Sequence, residues 1–226
     1  AVLAWVLVVW RWQDPFTALY THWKQHQLAQ SYKHRFAEYH PTRLARAGVS
    51  VSTTRQTIAQ EARLYRLRSH RGQAIGRIRV PELGLSMILV NGTDHNSLTK
   101  GPGRDRRTYM PGEGQLVYIA GHRTTYLAPF AHIERLRSGN SVTLEMPYGT
   151  FSYRVFTHEI VDANDLAVLR SSGHDVVALQ ACHPRFFASQ RYIAYARLVR
   201  VEPRGGAAFE PPPTALAAAP LAAQQG

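Results

Sequence analysis

Ser-Val-Thr-Leu-Glu-Met at 141–146, the break Pro147-Tyr148-Gly149, and Thr-Phe-Ser-Tyr-Arg-Val-Phe-Thr-His-Glu-Ile at 150–160 form the stretch that decides the fold. Two runs rich in β-branched and aromatic residues, separated by a proline and a glycine, read as strands joined by a hairpin turn. The same texture extends in both directions from Gly72 onward. It predicts strands at 74–80, 87–90, 115–120, 176–181 and 192–201 as well, and a short helical turn at 131–136 before Gly139-Asn140. Seven short strands at turn-bounded spacing point to an all-β barrel or sandwich.

Upstream the pattern changes. Asp14-Pro15 supplies an N-cap and first-turn pair, and Leu19, Trp23, Leu28 and Tyr32 form a loose apolar stripe, so residues 14–40 are predicted helical up to His40-Pro41. A second helix is predicted at 52–68, capped by Thr53 or Thr54, with Ile58, Ala62 and Tyr65 on one side. Stripes that narrow bury little area, which predicts a polar stalk or a clip on a domain surface rather than part of a core.

The 226 residues, 45% hydrophobic and 19% charged, suffice for one ordinary domain with an attachment. The formal charge of +12 is uneven. Residues 1–75 hold 11 basic and 3 acidic side chains, leaving 16 against 12 in the remainder, so the excess belongs to the N-terminal third. The near-neutral body, and the lack of stacking aromatics interleaved with the basic helices, speak against nucleic acid as a partner.

Residues 1–10, Ala-Val-Leu-Ala-Trp-Val-Leu-Val-Val-Trp, are uniformly apolar. As a helix they span about 15 Å, half a bilayer's hydrocarbon core, and read either as a short buried helix start or, the favoured reading, as the end of a truncated transmembrane anchor. Trp5, Trp10 and Trp12 suit an interfacial belt, and Arg11 closes the run. The basic segment that follows favours a cytoplasmic side, so this run alone does not set the orientation. The sequence thus divides into 1–10, anchor; 11–72, basic helical membrane-proximal segment; 73–202, β domain; and 203–226, a tail with five Pro, eight Ala and three Gly that predicts disorder.

Cys182 is the single cysteine, which excludes a disulfide framework within the chain and any zinc site built from several thiolates. It ends the strand predicted at 176–181, before His183-Pro184, at the kind of strand-to-loop junction where scaffolds present reactive groups. His122 follows the strand at 115–120, and Arg191 opens the last strand. A thiol, an imidazole and a guanidinium at three strand ends are the parts of a cysteine acyl transferase: nucleophile, proton shuttle and oxyanion donor. Alternation along a strand puts Tyr118, Ala120 and His122 on one face, with Val117 and Ile119 on the core face. Tyr118 therefore reads either as a groove residue or as a half-buried barrel tyrosine. No metal motif is evident: His22 and His26 lack a third ligand, and Asp162 with Asp165 are too few carboxylates for calcium.

Tyr118-Ile-Ala-Gly-His-Arg-Thr-Thr-Tyr126, Leu179-Gln-Ala-Cys-His-Pro-Arg-Phe186 and Arg191-Tyr192 together resemble the sortases, most closely class E, over about residues 77–201. The loop from Gly101-Pro102-Gly103 to Gly114 also resembles the family's loop before the histidine strand. The resemblance implies an eight-stranded sortase β-barrel and a membrane-tethered, extracytoplasmic cysteine transpeptidase needing no cofactor. Its implied partners are a Leu-Pro-x-Thr-Gly- or Leu-Ala-x-Thr-Gly-like sorting signal and an amine acceptor such as a peptidoglycan precursor. It makes Cys182, His122 and Arg191 catalytic, and Tyr118, Ala181 and Thr124 substrate-binding. Ala181 stands where many sortases have threonine, and Arg104-Asp-Arg-Arg107 replaces a more neutral class E stretch.

With unperturbed side chains, roughly 3% of the thiol and about a quarter of the imidazole are charged at pH 7, so the reactive pair coexists under about 1% of the time. Two other functions fit the composition. One is a hydrolase using the same Cys/His chemistry; the other is a membrane-tethered, non-catalytic binding module for cell-wall or anionic surface polymers, in which Cys182 only packs.

Overall fold

The computed structural model describes residues 15–40, 51–185 and 187–211. Two helices, α1 (Pro15–Glu38) and α2 (Val51–Arg68), precede the strands β1 (Ala74–Val80), β2 (Leu85–Asn91), β3 (Gly103–Arg104), β4 (Leu116–Ala120), β5 (Ser141–Met146), β6 (Gly149–Asp162), β7 (Val176–His183) and β8 (Gln190–Pro203). A four-residue helix, α3 (His95–Leu98), lies between β2 and β3. The strands close into a barrel in the order β1-β2-β3-β4-β7-β8-β6-β5. Pairs β2/β3 and β4/β7 are parallel and the rest antiparallel.

The hairpin read from 141–160 is β5 and β6, with Val142, Leu144, Met146, Phe151, Tyr153 and Val155 pointing into one core. Seven of the eight strands match the sequence reading in place. The eighth, β3, is two residues long and polar, so hydropathy gives no sign of it. Gly103 sets its position, because a Cβ there would lie 2.1 Å from the Gly92 carbonyl oxygen. The neighbouring Arg104 is fully buried. Its guanidinium bonds the Asn91 side-chain oxygen and the carbonyls of Thr108 and Tyr109, tying β2 to the loop before β4. Burial lowers its pKa to about 10.

Of the two expectations for the helices the stalk does not form: α1 is a clip on the barrel surface, while α2 reaches into the core. Ile58, Ala62 and Tyr65 of α2 lie in the same core as the barrel's inward residues, and the Tyr65 hydroxyl donates to the Ile75 carbonyl at 2.9 Å. The core is therefore continuous across the boundary drawn at residue 73.

On α1 half of the predicted stripe packs: Tyr32 is buried against Ala74 and Ile88 with Leu28 beside it, whereas Leu19 and Trp23 are 73% and 52% exposed and Thr21 is buried in their stead. Thr21 Oγ1 donates to Thr99 O, and the Gln25 amide both donates to Ile88 O and accepts from Ile88 N, pairing with β2 as a strand would. Polar residues dock this helix on main chain, which a hydropathy stripe cannot reveal. Since α2 begins at Val51, Thr53 and Thr54 are helical rather than caps, and Thr54 is buried.

The tail is ordered further than its composition predicts. Phe209 exchanges main-chain hydrogen bonds of 2.9 Å with Val201 and packs against the core. The Asp14 cap, the apolar run at 1–10 and residues 212–226 lie outside the described residues.

On the opposite face of β4, β7 and β8, a second cluster contains Leu116, Tyr118, Val176, Ala178, Ile193 and Tyr195. The turn Ala167–Leu169 between β6 and β7 covers it through Val168. This outer face ends in a cleft.

Candidate active site

Strand parity places the three reactive side chains on one face. Alternation carries Leu116, Tyr118, Ala120 and His122 to the outer side of β4 and its extension, Val176, Ala178, Gln180 and Cys182 to the outer side of β7, and Arg191, Ile193 and Tyr195 to the outer side of β8. Cys182 pairs directly with Arg191 in the antiparallel β7/β8 ladder. The parallel β4/β7 ladder aligns Ala120 with Gln180, and Gly121 N donates to Gln180 O at 3.0 Å. His122, Cys182 and Arg191 accordingly border one cleft of about 280 Å³, with Tyr118, Leu166 and the Asp105–Arg107 pair among its other walls.

Gly121 is a steric requirement of this junction: a Cβ there would lie 2.6 Å from the Phe130 ring. After His122 the chain turns through Tyr126, Leu127 and Ala128 at φ of +52°, +61° and +37°, three successive non-glycine residues in left-handed conformation. Phe130 N bonds the His122 carbonyl, and Tyr126 N bonds Thr17 Oγ1 of α1. The Tyr126 ring stands 4.9 Å from the His122 ring and 6.3 Å from that of His95.

Burial, and secondarily the His95 imidazole, pull the His122 pKa below the ordinary histidine value. The charged fraction at pH 7 is therefore smaller than the quarter expected of a free imidazole. Nε2 of His122 is buried without a hydrogen-bond partner in the protein. An unsatisfied buried ring nitrogen at a cleft is available to a reacting group.

Arg191 is held from below, Nη1 donating to the carbonyls of Ala188 and Gln190 at 2.7 and 2.9 Å. Burial raises the Tyr118 phenol pKa, so it stays neutral and can donate. Burial also pushes the Asp105 carboxyl up, but hydrogen bonds from Arg107 and Thr93 outweigh this and hold it below the carboxylate range.

The other expected site residues lie elsewhere. Ala181 is wholly buried in the barrel core, because parity turns it away from the cleft that Cys182 and Gln180 face. Thr124 is half-buried in the turn after His122 and is not among the residues lining the cleft. β7 runs on through Cys182 to His183, so the thiol sits within the strand's last pair rather than just past it.

Two features of the site carry no functional signal in the sequence: the Asp105–Arg107 wall reads only as a charged loop, and Arg123 only as the neighbour of His122. Among the described residues no three His, Cys, Asp or Glu side chains group as metal ligands, and no helix is long and apolar enough to cross a membrane.

Comparison with known proteins bears on the family and the fold. The family model described as Sortase domain matches residues 78–199, more than half of the chain. Sortase D of Bacillus subtilis (strain 168) is 29% identical over 152 residues, covering 66% of this chain and 75% of the relative. Sortase E from Streptomyces avermitilis aligns in structure at TM-score 0.53 and 26% identity, over 59% of this chain and 93% of its own. A Clostridium perfringens sortase C, solved with the C-terminal cell wall sorting motif, shares the fold at TM-score 0.59 and 20% identity, over 75% of this chain and 96% of its own. These similarities span classes D, E and C and single out none of them.

Proposed function

The chain belongs to the sortase family of transpeptidases, and from that premise we propose a cysteine transpeptidase acting on a Leu-Pro-x-Thr-Gly- or Leu-Ala-x-Thr-Gly-like sorting signal. The observation that carries the reading is the convergence of Cys182, His122 and Arg191 from three strand ends on one cleft. The Cys182 thiolate attacks the carbonyl carbon of the signal's Thr. Arg191 stabilises the tetrahedral oxyanion or grips the signal's carbonyls, and losing such a donor costs about 10²–10³ in rate. His122 as imidazolium gives its proton to the departing Gly amine, leaving a thioester on Cys182. An acceptor amine of the cell wall or of another surface protein then attacks the thioester and returns a proton to His122. The thiolate leaves, and one amide has been exchanged for another. Because burial keeps most of His122 neutral, the reactive ion pair is a minor population and turnover is slow.

The resemblance of residues 118–126 to class E is part of the proposal, as is attachment to a membrane through residues 1–10 with the barrel on the extracytoplasmic side. The exposed Leu19, Tyr20 and Trp23 of α1, with the Lys24 ammonium 4.4 Å over the Trp23 ring, support the attachment, being suited to a lipid interface. Flotation of the full chain with lipid vesicles, abolished by removing residues 1–10, is the expected result. A full chain that stays unbound would refute the attachment.

Incubation with both series of sorting peptides plus a small amine, read by mass, tests the chemistry. We expect cleavage after Thr with the amine joined to it. Hydrolysis without transfer would instead favour the hydrolase, and an inert protein the binding module.

A further inference from the structure

Arg123 follows His122 directly, yet its side chain turns away from the cleft and is only 6% exposed. Nη1 donates to the Cys182 carbonyl at 3.0 Å and lies 3.0 Å from Nδ1 of His183; Nη2 donates to Glu134 at 2.8 Å. A guanidinium is donor only and stays charged, so Nδ1 of His183 must accept and that ring carries its proton on Nε2. One planar cation thereby joins the segment carrying His122, the end of β7 carrying Cys182, and the turn Ile133–Arg135.

The position of this link matters. Among the described residues, Gly121 N to Gln180 O is the last main-chain hydrogen bond shared by the β4 extension and β7. Beyond it no main-chain hydrogen bond joins the two segments among the described residues, and the Arg123 side chain bridges them. Its carboxylate partner Glu134 is 42% exposed, and ion pairs with such solvated partners contribute little to stability. Burying a guanidinium is costly, so what this arrangement supplies is geometry.

We propose that Arg123 is the positioning residue of the transfer reaction, holding the Cys182 and His122 backbones at their reacting separation by a clamp anchored on Glu134. The inference rests on the transpeptidase reading. Arg123 touches neither the thiol nor the imidazole and does not line the cleft, so it is not itself catalytic.

The test compares Arg123→Lys, Arg123→Met and Glu134→Gln with the parent in steady-state transfer to a sorting peptide. Lysine can reach one of the three acceptors and methionine none. Both are expected to lower kcat about 10–100-fold with KM within about threefold, as small misplacements of reacting groups do. Glu134→Gln, at a partly exposed site, is expected to leave the melting temperature unchanged and lower kcat two- to fivefold. The second readout is long-range ¹H–¹⁵N NMR of His183: a single Nε2–H tautomer in the parent, a tautomer mixture in Arg123→Met.

An Arg123→Met enzyme within twofold of the parent kcat overturns the clamp, as does a raised KM with kcat kept, which would make Arg123 a substrate contact. Should both Arg123 variants unfold, an unchanged kcat in Glu134→Gln overturns it. A parent without transfer activity refutes the transpeptidase reading and leaves the His183 tautomer to decide whether the clamp exists.

Discussion

Replacing Ile58 with alanine should destabilise the barrel although Ile58 lies on a helix outside it. The side chain is 1% exposed, and its Cγ2 comes within 2.6 Å of where a Cβ on Gly112 would stand, beside the Phe151 ring. Three carbons vanish from a closely packed junction with no polar group to readjust. Such truncations cost about 2–5 kcal/mol, and at about 2–4 °C per kcal/mol for a domain of this size the melting temperature should fall by about 4–20 °C.

Leu67→Ala is the control on the same helix, because Leu67 is 65% exposed and should melt with the parent. Deleting everything before residue 73 removes Tyr32, Ile58, Ala62 and Tyr65 together. The three large side chains alone are worth about 5–9 kcal/mol, comparable to a whole domain's stability, so that chain should fail to fold. Thermal melts by circular dichroism of the four proteins decide it. An Ile58→Ala melt within 2 °C of the parent, with a folded chain starting at 73, would refute the shared core.

Gly121→Ala forces a methyl to within 2.6 Å of Phe130 and should lower both stability, by about 1–3 kcal/mol, and activity, because the shift falls on His122; a variant matching the parent in melt and turnover would contradict the close packing. His122 should titrate below the ordinary histidine value by NMR, and His95→Gln should move it upward by removing the neighbouring charge; no upward movement would remove His95 as a cause. The unfolded chain binds protons on His122 at a higher pH than the folded one, so this group makes stability fall as pH drops through that window. Asp175 works in the opposite sense. Burial raises its carboxyl to about 6 although Gly112 N and Gly114 N donate to it. Its contribution is therefore most favourable below about pH 4 and declines toward pH 6, by at most about 3 kcal/mol. Denaturant melts of the parent minus Asp175→Asn should show that decline, and a flat difference would contradict it.

How legible this was depended on what kind of interaction carries each element. Strands such as β5 and β6 are visible because their core residues are apolar and bounded by turn residues. β3 is invisible because Gly103 and Arg104 act through steric clearance and a buried guanidinium. The helices lie where the sequence predicts, but their docking is not visible there: Gln25, Thr21 and the tyrosines 32 and 65 dock through hydrogen bonds to main chain, and polar residues in sequence read as solvated.

At the site, Cys182, His122 and Arg191 could be picked out because their residue types fall at strand ends. Ala181 is a groove residue by family resemblance alone, at the position where many sortases have threonine, and strand parity turns it into the core instead. Arg123 gives no such signal, because its role depends on Cys182 and His183, 59 and 60 residues away, as well as on Glu134.

The most direct test of the central claim is intact-protein mass spectrometry of the full chain with a sorting peptide and no added amine. A covalent adduct equal to the peptide up to and including Thr should build up, map to Cys182, vanish when an amine is added, and be absent in Cys182→Ala. Peptide cleavage that proceeds without any adduct, or an adduct that survives in Cys182→Ala, would contradict the account.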